Sequence, residues 1–123
     1  MLLDIPLIAA GMAGAFLSSL RKDSATIRAL AGDEAQKLTR ALTTIAQLLE
    51  SGDIDAEEAE ALIDVQRAAT EAVFASLEGI GRVAARRATR AGLTSAVTAF
   101  DGVIGFPLLA GLTAAAAPRV ADG

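Results

Sequence analysis

Residues 51–55, Ser-Gly-Asp-Ile-Asp, constrain the fold of this chain more than any other stretch. Gly52 can end a helix in the left-handed conformation, where a Cβ would be penalised. Asp55 can cap the next helix, and Glu58 completes a D-x-x-E capping box. Ile54 precedes the cap and can staple onto Ala59. A link this short forces its two helices to lie antiparallel and side by side.

The flanking sequence supplies the arms. Ala35, Leu38, Leu42, Ile45 and Leu49 recur at alternating steps of three and four, with Asp33, Lys37, Arg40 and Gln47 off the stripe. The second arm is expected to run from about Ala56 toward Arg90, or as far as Phe100. Its predicted stripe is Ala59, Leu62, Gln66, Ala69, Val73, Leu77 and Ile80, widened by Ile63, Ala72 and Val83. Gln66 is a polar residue on this coiled-coil-like seam. Such a residue can fix register or oligomeric state; the alternative is a place at the seam's solvated edge.

Two apolar segments lie outside the hairpin. Ile5–Leu20 carries no charge, follows Asp4 as an N-cap with Pro6 in the first turn, and stops at Arg21 and Lys22. Sixteen residues fall short of the roughly 20 that cross a bilayer, which suits a buried core helix. The competing expectation is a short or tilted transmembrane helix. Ala10, Gly14 and Ser18 recur every four residues there, a spacing that lets helix backbones approach closely in lipid. Residues 91–117 contain a single charge, Asp101. Asp101-Gly102 reads as a turn, and Gly105 and Pro107 interrupt the helix again, so two short segments around a bend are expected. Asp101 is the candidate intramembrane or interface acid, or else it caps that turn.

The resulting division is an apolar N-terminal helix (1–23), an amphipathic hairpin (24–90), an apolar bent segment (91–117) and a polar tail (118–123). The chain is 53% hydrophobic, much of it Ala and Leu, and has only four Phe as aromatics. Ala and Leu are strong helix formers, and no run alternates with period two. The expected class is all-α: a long antiparallel hairpin with apolar helical ends, forming a helix bundle within a homo-oligomer.

Charge is segregated along this rod. No basic residue lies between Arg40 and Arg67, while Glu50, Asp53, Asp55, Glu57, Glu58, Glu60 and Asp64 crowd the turn. The other end carries Arg21, Lys22, Arg82, Arg86, Arg87 and Arg90, beside both apolar segments. Such a cluster suits the phosphates of a membrane surface. The positive-inside rule would then put the hairpin on the cytoplasmic side.

Chemistry is narrowly bounded. Without Cys or His the chain has no thiolate, no imidazole base and none of the commonest transition-metal ligands. A net charge of −4 argues against nucleic acid as a partner. Asp53, Asp55, Glu57 and Asp64 occupy positions 1, 3, 5 and 12 of a calcium-loop frame, but Glu58 stands where that loop needs Gly. The capping box explains the same residues. No enzymatic activity, cofactor or metal is expected. The leading expectation is a membrane-associated protein that self-assembles into a structural or pore-like oligomer, with an unidentified partner at the acidic tip. The alternative is a soluble assembly subunit of a filament, shell or phage particle, cytoplasmic or particle-bound, with apolar ends buried between copies.

Overall fold

The computed structural model describes residues 4–104. These form four helices, α1 (Ile5–Leu20), α2 (Ala25–Ser51), α3 (Ala56–Ala75) and α4 (Gly81–Ile104), with no strand among the described residues. Each helix runs antiparallel to the next. α1 packs on α2 and α4, α3 packs on the same two helices, and α2 meets α4 across one diagonal. The architecture is an up-down-up-down bundle with α1 and α3 at opposite corners.

Local signals explain most of the boundaries. The Asp4 carboxylate accepts the Leu7 amide at 3.1 Å, and the Ser24 hydroxyl oxygen accepts the Ile27 amide at 3.1 Å. α2 ends in a Schellman motif: Gly52 has φ +82°, its amide donates to the Leu49 carbonyl, and the Asp53 amide donates to Leu48 at 2.9 Å. The capping box of α3 is complete. The Glu58 amide donates to Asp55 at 2.7 Å and the Asp55 amide donates back to Glu58 at 3.0 Å. Replacing Asp55 by alanine is expected to lower stability by about 1 kcal/mol, measured by urea titration of the helical circular-dichroism signal.

The second arm differs from expectation. It is not continuous from residue 56 to residue 90, because the chain reverses again between Ala75 and Gly81. Gly79 and Gly81 both have positive φ, +82° and +75°, and Ile80 between them is buried. The Leu77 amide donates to Phe74 and the Ile80 amide to Leu77, closing this turn. Two helix-weakening glycines flanking an apolar anchor are the physical cause. α4 in turn runs straight through Asp101-Gly102, where a turn was expected. The expected breaks at Gly105 and Pro107, and the tail 118–123, lie outside the described residues.

The core is built mainly of alanine and aliphatic side chains. α2 buries Ala35, Leu38, Leu42 and Ile45, the stripe read from its sequence, while Leu49 is half-buried at the end. α3 is turned by about one residue relative to the expected stripe: Ile63, Thr70 and Phe74 are buried, while Leu62, Ala69 and Ala72 are exposed. The reason is tertiary. Phe74, the largest side chain of the helix, takes the core, and Ile63 and Thr70 share its face. Phe16 reaches across the bundle to Phe74, with ring centroids 4.8 Å apart in an edge-to-face arrangement. Two buried threonines bond to their own helices, Thr43 donating to the Thr39 carbonyl at 2.8 Å and Thr89 to Ala85 at 2.9 Å, while buried Thr39 donates to Met12 Sδ of α1 at 3.9 Å.

α1 is a core helix of this bundle. Ala9, Met12, Phe16 and Leu20 are buried against the other helices, Met12 and Phe16 completely. No helix among the described residues is long and apolar enough to cross a membrane. The transmembrane expectation for the N-terminal segment is therefore corrected. At 1.5 Å per residue its 16 residues span about 24 Å, short of a hydrocarbon core of about 30 Å. The cytoplasmic-side orientation of the hairpin loses its premise with it.

Candidate functional site

The two ends of the bundle and its outer helix faces carry the residues singled out from sequence. At one end, the α1–α2 and α3–α4 loops lie together. Arg21 closes α1 in the left-handed conformation, φ +58°, and its amide donates to the Leu17 carbonyl at 3.2 Å. The Lys22 ammonium lies against Gly79 of the other loop. Arg82, Arg86 and Arg87 are exposed on the first turns of α4. Five of the six expected basic residues thus gather at one end. Arg90 differs: it is half-buried, and its Nε is enclosed without a hydrogen-bond partner among the described residues.

A shallow cleft of about 330 Å³ at the α1–α2 elbow is lined by Leu17, Ser18, Arg21, Lys22, Asp23 and Arg28. Asp23 there is engaged by Arg28 at 3.1 Å, both side chains well exposed. A second cleft, about 280 Å³, runs between α1 and α2 from Ile5 and Pro6 to Gln36 and Arg40, with an apolar floor.

The opposite end holds the acidic turn. Asp55 and Glu58 are committed to the capping box, and Asp53 accepts a hydrogen bond from Ser51 at 2.7 Å. Further along α3, Arg67 bridges Asp64 at 2.7 Å and Glu71, and Arg86 approaches Glu71 at 3.7 Å, tying α3 to α4. Burial alone would lower the Arg67 pKa. The hydrogen bonds and charges of Asp64 and Glu71 outweigh it and hold the guanidinium above its ordinary value. This is a structural ion-pair network on the α3–α4 flank.

The remaining candidates separate. Ala10, Gly14 and Ser18 are exposed on α1, and a Cβ on Gly14 would meet nothing within 4 Å among the described residues. The close approach is made elsewhere. A Cβ on Gly92 of α4 would lie 2.7 Å and 2.9 Å from Phe16 Cδ1 and Cζ, and nearer still to Cε1. Gln66 sits half-buried at the margin of the α3 core face. Asp101 falls in the last turns of α4, and its side chain lies outside the described residues.

Two features escaped the sequence reading. Glu34 is buried on α2, with one oxygen paired to Lys37 at 3.1 Å and the other without a hydrogen-bond partner among the described residues. It stands between buried Ala31 and Leu38 on the helix's apolar face, a mismatch visible only once that face is known. The second is a set of uncovered apolar side chains. Leu7 on α1 is 68% exposed, and Leu62 and Val65 on α3 are 40% and 61% exposed. No protein-family model matches the chain, and no curated protein or solved structure matches it.

Proposed function

We propose that this chain is a non-enzymatic helical building block that associates with copies of itself. The observation supporting this is the uncovered apolar surface on α1 and α3, at opposite corners of the bundle. Leu7 with Pro6, Ala10, Gly11 and Gly14 makes one such face, and Leu62 and Val65 with Ala69 and Ala72 the other. A small four-helix domain that buries Phe16, Phe74 and Phe100 completely, yet leaves these side chains in water, gains by covering them. Light scattering on a sizing column, over a wide concentration range, tests the reading. A mass above the 12.5 kDa monomer that rises with concentration is expected; a monomer throughout rejects it.

A second reading rests on the basic end. Arg21, Lys22, Arg82, Arg86 and Arg87 sit together there, and each basic residue near an anionic bilayer adds about 1 kcal/mol. In this reading the bundle docks end-on at a lipid surface without crossing it. Flotation with vesicles rich in anionic lipid, lost at high salt and lost when Arg82, Arg86 and Arg87 become glutamine, is the result that would favour it.

A further inference from the structure

We infer that the outer face of α3 is a self-complementary dimer interface, with the α3 helices of two copies packed antiparallel. This rests on the self-association reading above and names the surface that carries it. Leu62, Val65, Ala69 and Ala72 follow steps of three, four and three, and all four are exposed, so they form one stripe on the face away from the core.

The order of sizes along the stripe sets the direction. The two larger side chains come first and the two alanines last. Antiparallel pairing about position 67 sets Leu62 of each copy opposite Ala72 of the other, and Val65 opposite Ala69. Every large side chain then meets a small one, which is how facing helices interdigitate. Parallel pairing would set Leu62 on Leu62 and alanine on alanine, crowding one half and leaving a gap in the other.

Charge selects the same direction independently. The first half of α3 carries exposed Glu57, Glu58, Glu60 and Asp64. The end where α3 finishes carries Arg82, Arg86 and Arg87 on the adjoining turns of α4. An antiparallel pair brings the acidic half of each copy beside the basic end of the other, twice by symmetry. A parallel pair would stack acid on acid.

The absence of native cysteine gives a clean test. Val65→Cys and Ala69→Cys proteins, mixed under mild oxidation, are expected to give a covalent heterodimer in high yield. Leu62→Cys alone is expected to give little, because the two copies of that residue lie far apart. Val65→Glu, at an exposed position, is expected to weaken dimerisation more than about tenfold, while keeping the thermal unfolding midpoint that the unsubstituted chain shows at concentrations where it is monomeric. Self-linking of Leu62→Cys overturns the antiparallel arrangement. A protein that still self-associates, but shows neither the 65–69 crosslink nor any response to Val65→Glu, overturns the α3 interface and leaves self-association standing. A monomer at all concentrations overturns both. Vesicle flotation abolished by Val65→Glu, with monomer in solution, would assign the stripe to lipid and overturn the dimer.

Discussion

Truncating Phe16 to alanine is expected to lower the unfolding free energy by about 3–5 kcal/mol. Phe16 is completely buried and is the contact that crosses the bundle from α1 to Phe74 on α3. The helices that carry the two rings do not otherwise pack on one another. Removing the ring therefore opens a cavity bounded by α1, α3 and α4 at once, which no single neighbour can fill. A domain of this size holds about 5–15 kcal/mol in all, so the variant should unfold at much lower urea. Circular dichroism is the suitable probe, since the chain has neither Trp nor Tyr. The same experiment separates two views of α1. A segment docked only on lipid or on another copy would leave the monomer's unfolding unchanged when Phe16 is truncated. The edge-to-face pair itself should appear as a coupling of about 0.5–1.5 kcal/mol in a cycle with Phe74→Leu.

The second large effect is at Gly92. Glycine in a helix interior costs about 1 kcal/mol against alanine, so Gly92→Ala would ordinarily stabilise α4. Here the new methyl would lie 2.7 Å and 2.9 Å from two atoms of the Phe16 ring. That ring is fully enclosed and held against Phe74, so it cannot swing away. Overpacking of this kind costs about 1–3 kcal/mol or more, which exceeds the propensity gain. Gly92→Ala is expected to be net destabilising by about 1–2 kcal/mol. In a Phe16→Leu background the obstructing ring is gone, and the same substitution should become neutral or stabilising. Urea titration of the four proteins in this cycle reads the change of sign. Equal effects of Gly92→Ala in both backgrounds would show that the ring does not rest on this glycine.

The parts of the fold that were legible in the sequence are those set by short-range chemistry. Gly52, Asp55 and Glu58 act within one turn of each other, and the two caps they encode, a left-handed glycine and a capping box, are present. The α2 stripe was equally plain, because charged residues such as Asp33, Lys37 and Arg40 mark its outer side. α3 offered no such contrast. Alanines lie on both of its faces, so the positions of Leu62 and Ile63 could be exchanged until Phe74 chose the inner one. The bend at Gly79 and Gly81 was masked by apolar periodicity that continues through Leu77 and Ile80. The charge asymmetry was legible in advance, but its meaning changed. Arg21 and Lys22 mark one end of a folded bundle, not the mouth of a spanning helix. The outer stripe of α3 could not be recognised while Leu62, Ala69 and Ala72 were assigned to the core.

The elbow between α3 and α4 has a consequence for how this chain could be remodelled. Gly79 and Gly81 hold backbone angles that an alanine adopts only at a cost of about 1–2 kcal/mol each. Alanine at both would favour the straight alternative, one uninterrupted rod from residue 56 onward, with α4 swung away from its own α1. The vacated groove would then admit the same segment from a neighbouring molecule, an exchange of identical parts between two chains. The left-handed torsions of these two glycines thus favour the self-contained bundle over the straight rod.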